Sequence, residues 1–422
     1  MLTLTYLRER RDSVISSLAK RGLDVAQSVD RVIALDAERR GVQKELDDTL
    51  AESNTLSRQI GELMREGKRE EAESIKTATS DLKTKSGELK GKMGALEEEV
   101  HDLLTHLPNT PCDIVVAGNS EEDNELIGSW GDIPNLGDNK KPHWDIAKEK
   151  DLIDFDLGAK VTGAGFPFYK GKGAKLQRGL IRFFLDKADN AGYTEYIPPL
   201  MINEDSGFGT GQLPDKEGQM YHMKIDDLYM IPTAEVPLTN IYRNSLLNSS
   251  DLPIKLCGYT PCFRREAGSY GKDVRGLNRL HQFDKVEIVQ IQHPEKSAET
   301  LDSMVEHVKG LLEELKLPYR ILRLCAGDMG FTAAITYDFE VWSAAQEMWL
   351  EVSSVSNFET FQANRLKCRF KNAEGNNQLV HTLNGSALAL PRIVAALLEN
   401  HQDAEGVKIP EALVPYLGFD RI

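Results

Sequence analysis

The sequence predicts an α+β protein in two parts. A long antiparallel α-helical hairpin (a coiled coil) occupies residues 1–110, and a domain with a mainly antiparallel β-sheet flanked by helices occupies 111–422. Three observations carry that expectation. Residues from about 25 to 107 contain no proline and no Phe, Trp or Tyr, and their apolar residues recur at seven-residue steps. From Phe166 onward, strand-length apolar runs follow one another without the regular strand–helix alternation of a doubly wound fold. The 422 residues, 41% hydrophobic, suffice for two or three domains with buried cores.

In the hairpin, Ile75, Leu82, Leu89, Leu96 and Leu103 recur every seven residues, and Met93, Val100 and Leu107 fill the second heptad position. Val25, Val29, Val32, Leu35, Val42, Leu46, Leu56, Ile60 and Leu63 make a similar stripe upstream. The polar "REGKREE" between them, with Gly67, reads as the turn. Each arm of about 35 to 40 residues extends roughly 55 Å at the helical rise, too far to pack all its faces on one domain. Such a hairpin is either a dimerisation coiled coil or an arm that touches a large ligand. Residues 1–110 carry 18 Lys and Arg against 21 Asp and Glu, so only -3 of the chain's -15 lies there. Gly41, Gly61, Gly87, Gly91 and Gly94 weaken helix propensity inside it with no reason visible in the sequence.

"HLPNTPCD" (106–113) ends the second helix with two prolines. Residues 114–160 read as a loop-rich linker. A helix is expected over 174–192, capped by Gly192, and then "YTEYIPPLMI" as an edge strand broken by Pro198 and Pro199. "LYMIPT", "GYTPCFRRE", "KVEIVQIQ", "YRILRLCA", "YDFEVWSA" and "MWLEVSSVS" read as further strands. The chain closes with helices "ALALPRIVAALLENH" and a short one within "EGVKIPEALVPYLG".

Composition excludes several classes. Five cysteines with no C-x-x-C, and histidines with no H-x-x-x-H pair, argue against a disulfide framework and against zinc. Apolar stretches such as Ala387 to Leu390 are far short of a membrane span. Glu9 and Asp12 in the arginine-rich N-terminus argue against a transit peptide, which leaves the cytoplasm as the expected location. No G-x-x-x-x-G-K-[ST] and no G-x-G-x-x-G occurs.

"CFRREAGSYGKDVRGLNRLHQF" (262–283) concentrates Arg264, Arg265, Lys272, Arg275 and Arg279 around Gly268, Gly271 and Gly276 in an acidic protein. Two strands would flank a glycine-bearing loop, with Arg264 and Glu266 of the first pointing one way and Phe283, Lys285 and Glu287 of the second sharing a side, so that one face could offer Arg264, Glu266, Phe283 and Glu287 with Arg275 folding over it. Guanidinium groups fork onto phosphate, an aromatic ring stacks a base, and a carboxylate accepts from an exocyclic amine. On its own the segment reads equally well as a nucleotide site or as a solvated hairpin of paired charges.

The segment is similar to motif 2 of class II aminoacyl-tRNA synthetases, in the form found in the seryl-tRNA synthetase family. "GFPFYKGKGAKLQRGLIRFFLDKADNAGYTEYIPPLMIN" resembles motif 1 and "TLNGSALALPRIVAALLENHQ" resembles motif 3. "PTAEVPL", "DMGFTAAITYDFEVW" and "EVSSVSNFETFQANR" match further blocks in the same order, and the hairpin matches the family's tRNA-binding arm. The resemblance implies a class II catalytic domain, L-serine and ATP as substrates, and a seryl-adenylate intermediate. It implies tRNA(Ser) as acceptor, tRNA(Sec) as a second one, a homodimer built through motif 1, and Mg²⁺ with the ATP.

It also implies roles. Arg264 grips the α-phosphate, Glu266 the adenine and Arg392 the γ-phosphate, and these three form the catalytic set. Phe283 stacks the base, Arg275 reaches the terminal phosphates, and Glu351, Val352, Ser353 and Ser354 complete the ATP site, with Glu351 and Ser354 as Mg²⁺ ligands. Arg265 belongs to the same ATP motif, but strand parity turns its side chain away from the phosphates, and Lys272 is left for the tRNA acceptor end. Thr233, Ala234, Glu235, Arg264, Glu287, Asn384 and Ser386 form the serine pocket. Such a pocket rejects alanine strongly by leaving its polar groups unpaired, whereas excluding threonine's extra methyl is worth only ~1–3 kcal/mol. Ala387, Pro391 and "SVSNF" depart from common family forms without removing an assigned charged or hydroxyl group. The competing readings are a synthetase paralogue with another acceptor or no activity, and a non-enzymatic coiled-coil adaptor. A paralogue tends to lose the arm or the ATP arginines, and this chain keeps both.

Overall fold

The computed structural model describes residues 1–266 and 275–422. It divides into two compact units, one of Met1–Ala19 with Leu23–Pro108, the other of Lys20–Gly22 with Asn109–Ile422.

In the first unit, short helices α1 (Leu4–Glu9) and α2 (Arg11–Ala19) precede the hairpin helices α3 (Ala26–Arg65) and α4 (Arg69–His106). The arginine-rich N-terminus is folded onto the hairpin: Arg11 forks onto Asp30 at 2.6 and 2.7 Å, and Arg8 reaches the buried Asp36 at 3.1 Å. Arg39 and Arg40 also bond Asp36, and together they hold its carboxyl below the usual range although burial alone would raise it. Val29, Val32, Leu35, Val42 and Leu46 are buried, as are Leu89, Leu96, Val100 and Leu104. Nearer the turn the seam becomes small and polar: Ala72, Thr49, Thr79 and Ser86 are buried, and the hydroxyls of Thr49 and Thr79 donate to carbonyls of their own helix. Ile75, Leu82 and Leu103, expected in the seam, are only half-buried.

The pairs Arg31–Glu99, Glu38–Lys92 and Glu45–Lys85 step by seven residues along both helices, at 2.6, 2.8 and 2.8 Å. Each is exposed and contributes little by itself, but three in one phase favour a single antiparallel register. Gly67, at φ 80°, makes the turn in a conformation that L side chains rarely adopt.

The five helical glycines have no packing role. A Cβ added at Gly41, Gly61, Gly87, Gly91 or Gly94 would meet nothing within 4 Å. Each Gly→Ala change is therefore expected to stabilise the hairpin by about 0.5–1 kcal/mol, read as a rise in Tm. A fall in Tm for the set would show that these glycines serve a contact their replacement disrupts.

The second unit contains the main sheet: β1 (Glu125–Trp130), β2 (Thr194–Glu195), β3 (Ile254–Phe263), β4 (Gln282–Gln292), β5 (Tyr319–Arg323), β6 (Ile335–Ser343), β7 (Met348–Glu359) and β8 (His381–Ala389). Their spatial order is β1-β5-β6-β7-β8-β4-β3-β2. Every neighbouring pair is antiparallel except β2 on β3. Helices α5 (His143–Glu149), α6 (Gly171–Asn190), α7 (Glu235–Asn240), α8 (Ser297–Glu314), α9 (Thr360–Leu366) and α10 (Leu390–Asn400) flank it. Leu176, Leu180, Phe183 and Phe184 of α6 share one core with Val286 and Ile288 of β4 and Ile393 and Leu397 of α10. The i, i+4, i+7 spacing on α6 puts those four on a single face, and Gly192 at φ 83° follows its end.

Two expectations are corrected. Residues 114–160 are not a plain linker: β1 closes one edge of the sheet against β5, and α5 packs its buried His143, Ile146 and Ala147 inward. "ALAL" does not begin a helix. Ser386 to Ala389 complete β8, where Ser386 pairs with Glu287 and Ala389 with Lys285, and α10 starts only at Leu390. Strand pairing here overrides the helical propensity of Ala and Leu.

Candidate active site

β3 and β4 run side by side with Cys262 opposite Phe283. β3 ends at Phe263, so strand parity does not set the directions of Arg264 and Glu266. The Arg264 N–H donates to the His281 carbonyl at 2.9 Å, the Arg265 N–H donates to the Gln219 carbonyl at 2.9 Å, and Glu266 takes φ 47°. The chain thus keeps contact with the β4 side while turning both Arg264 and Glu266 into one cavity of about 300 Å³.

That cavity gathers Arg264, Glu266, Phe283, Glu351, Val352, Ser353, Ser386 and Arg392 from β4, β7, β8, α10 and the end of β3. The Arg264 guanidinium lies 5.1 Å from the Phe283 ring centroid. Pro391 sits in the first turn of α10, where its missing N–H costs no helical bond, and Arg392 follows it. Arg392 donates Nε to the Asn278 carbonyl at 2.9 Å and Nη1 to the Glu351 carbonyl at 2.7 Å, with the Glu351 carboxylate 3.7 Å away. Glu266 is ion-paired to Arg279.

A buried acidic layer adjoins the cavity through its lining residues Lys285 and Ser386. Glu287 accepts from the Thr233 hydroxyl at 3.0 Å and from Lys285 Nζ at 2.5 Å, and its Oε1 is buried without a partner. Thr233 Oγ1 accepts the Glu235 N–H at 3.2 Å, and Gln362 Nε2 donates to the Glu235 carboxylate at 2.7 Å. Burial, and then the nearby Glu287 charge, push the Glu235 carboxyl up to about 7 against the pull of Gln362, Lys285 and Arg264. Ala234 is buried at the start of α7, and Ser386 stands opposite Glu287 in the sheet. Asn384 lies two residues before Ser386 on the same strand, opposite Val289 and Ser356, and outside the cavity lining.

Ser354 also lies outside the lining, paired across the sheet with Asp338. Asp338 carries a buried Oδ1 without a partner, and burial followed by the Glu351 charge raises its carboxyl well above the usual range. Arg265 rests 5.8 Å over Tyr221 and Arg275 4.6 Å over Trp144, both away from the lining. Gly268, Gly271 and Lys272 fall outside the described residues. The sequence reading missed Asn278 and Arg279 as cavity residues and assigned Lys285 no role; for the lysine, its place beside Glu287 on one face of β4 was the available signal. Among the described residues no cluster of three or more His, Cys, Asp or Glu could hold a metal unaided.

Comparison with known proteins agrees with this geometry. Residues 1–111 match the seryl-tRNA synthetase N-terminal domain family, and residues 221–401 match the tRNA synthetase class II core domain (G, H, P, S and T). The chain is 53% identical over 424 residues to the serine–tRNA ligase of Salinibacter ruber, covering 100% of this chain and 99% of that one. It superposes on the crystal structure of seryl-tRNA synthetase from Pyrococcus horikoshii complexed with ATP at TM-score 0.93 and 35% identity, covering 100% and 99% of the two chains. For the cytoplasmic serine–tRNA ligase of Naegleria fowleri in complex with AMP the values are 0.88 and 26%, covering 100% and 98%. With the hairpin, the antiparallel sheet and the arginine-lined cavity beside a buried acidic layer in one chain, the protein belongs to the seryl-tRNA synthetase family of class II aminoacyl-tRNA synthetases.

Proposed function

We propose that this chain attaches L-serine to tRNA in two ATP-dependent steps, with both reactions in the cavity between Arg264 and Arg392. Serine–tRNA ligation is its activity; the residue roles are the proposal. One observation carries them: three arginines and an aromatic ring line a cavity whose Lys285 and Ser386 adjoin Glu287, a buried carboxylate with an unpartnered oxygen. The first group suits a nucleotide triphosphate and the second an ammonium.

In the first step the serine carboxylate oxygen attacks the α-phosphorus in line. The α–β bridging bond breaks, pyrophosphate leaves, and seryl-adenylate remains. In the second step a ribose hydroxyl of the terminal tRNA adenosine attacks the activated carbonyl, giving the ester and AMP. Arg264 neutralises charge at the α-phosphate, Phe283 stacks the adenine, Glu266 accepts from its amine, and Arg392 holds the far phosphates. Thr233, Glu235, Glu287 and Ser386 orient the serine, with Ala234 and Asn384 at its margins. No protein nucleophile is needed, because position and charge supply the acceleration.

A Mg²⁺ ion fits this donor set. Glu351 offers a half-exposed carboxylate at the cavity wall, Ser354 a hydroxyl on the same strand, and Asp338 an unsatisfied buried oxygen beside it. When bound through Glu351 and Ser354, the ion would neutralise phosphate charge.

The residue 1–110 unit is the tRNA-contacting arm, reading RNA by shape, and residues 111–422 are the catalytic domain. Shape reading extends to tRNA(Sec) as a second acceptor. Phe168, Ile197 and Met201, in the stretch similar to motif 1, are exposed apolar residues, Ile197 at 91%, and they support a homodimer. Five free cysteines suit the cytoplasm.

Serine-dependent exchange of pyrophosphate into ATP by the purified protein tests the reading directly. Faster exchange with another amino acid, or none with serine, overturns it. The Glu235 carboxyl adds a pH signature. Serine's ammonium needs that carboxylate ionised, so its KM should rise as pH falls below about 7, approaching tenfold per unit, and Glu235→Gln should flatten the profile. An unchanged serine KM between pH 6 and 8 would remove Glu235 from the ammonium site.

A further inference from the structure

A buried His–Glu pair sits behind the cavity, and no step above uses it. His143 opens α5 and Glu399 lies near the end of α10, each with a side chain 0% exposed. Glu399 Oε1 accepts from the His143 backbone N–H at 3.0 Å and lies 2.7 Å from His143 Nδ1. Glu399 Oε2 accepts from the Ser343 hydroxyl and from the Ala345 N–H. The ring's other nitrogen, Nε2, accepts the Leu277 N–H at 2.9 Å. With Nε2 occupied as an acceptor, the proton is on Nδ1 and is donated to Glu399. The imidazole is a rigid link from α10 to a backbone amide at the exit of the arginine-bearing loop.

That loop exit is pinned around the same link. Gly276, at φ 68°, passes so close that an added Cβ would meet His143 Nε2 at 2.3 Å. Arg275 stacks on Trp144, the residue after His143. Asn278 donates to Gln346 at 2.7 Å, and Gln346 in turn donates to Glu399 at 3.2 Å. The Asn278 carbonyl then receives Arg392 Nε at 2.9 Å. One buried carboxylate thus bears on the loop exit through His143 and, through Gln346 and Asn278, on Arg392.

We infer that His143 and Glu399 are positioning residues for ATP: they hold the 275–279 segment, and through Asn278 the Arg392 guanidinium, in the arrangement that receives the nucleotide. The inference rests on reading the cavity as an ATP site. The serine pocket of Thr233, Glu235 and Glu287 shares none of these bonds, so the effect is confined to the nucleotide half.

Two substitutions separate positioning from mere packing. His143→Gln keeps an acceptor near Nε2 for the Leu277 N–H, whereas His143→Asn keeps a donor near Nδ1 for Glu399 and abandons the loop amide. ATP affinity is measured by calorimetry without serine, and the KM values of ATP and serine by pyrophosphate exchange. His143→Asn is expected to weaken ATP by about tenfold in both assays with serine KM unchanged, and His143→Gln to stay within about threefold of wild type. Equal weakening in both variants, no weakening in either, or a parallel rise in serine KM overturns the inference. If both fail to fold, Gly276→Ala pushes the loop off His143 from outside, and an unchanged ATP affinity there overturns it too. Wild-type protein that binds no ATP overturns the ATP reading itself, a result distinct from wild-type binding with indistinguishable variants.

Discussion

Arg264→Ala is expected to lower serine-dependent pyrophosphate exchange by about 10³-fold or more, whereas Arg265→Ala should stay within about threefold of wild type. The residues are adjacent, equally charged and just beyond the same strand. They differ in where the backbone sends them. Arg264 enters the cavity beside Phe283, and Arg265 leans over Tyr221 outside it. Negative charge on the α-phosphate builds up as the serine oxygen closes in, and a fixed guanidinium there stabilises the transition state more than the bound substrate. The loss should therefore appear in kcat as well as in the KM for ATP. Both variants should keep the wild-type Tm, because neither arginine is fully buried. Equal losses from the two would place the phosphates elsewhere.

Removing residues 27–105 should leave exchange within a few-fold of wild type and abolish serine transfer to tRNA. The deleted segment belongs to a unit with its own seam, and every residue assigned to ATP or serine lies in the other unit. The three cross-hairpin ion pairs put residues near 27 and 105 level with each other, so a short connection can rejoin the chain. Activation needs only the cavity, and transfer needs the tRNA end held there. Charging that survives the deletion would reduce the hairpin to a structural element, and lost exchange would show that the catalytic unit depends on it.

The hairpin was legible because its heptads run for many turns with neither proline nor Phe, Trp or Tyr, and periodic signals of that length survive tertiary context. Its polar inner seam was not, since Thr49, Thr79 and Ser86 satisfy their hydroxyls on their own helices, a solution invisible to apolar counting. Arg264, Glu266 and Phe283 were readable from their clustering. The reason offered for the first two, strand parity, gives way to a strand that ends at Phe263 and a left-handed Glu266. β1 hid in the presumed linker because an edge strand with exposed Leu126 and Ile127 lacks the clean alternation of a half-buried one. His143 and Glu399 carry no local signal: they lie 256 residues apart, and only the fold makes them neighbours.

The sheet order has a consequence for biosynthesis. β4 is flanked by β3 and by β8, and β8 follows it by nearly a hundred residues with three intervening sheet strands already formed. Arg392 comes later still. Loop-closure entropy makes such distant pairings slow, whereas the hairpin's contacts are comparatively local. On a translating ribosome the hairpin can therefore fold early, while the nucleotide cavity waits for almost the entire chain. ATP protection of newly made protein should accordingly be among the last native properties to emerge.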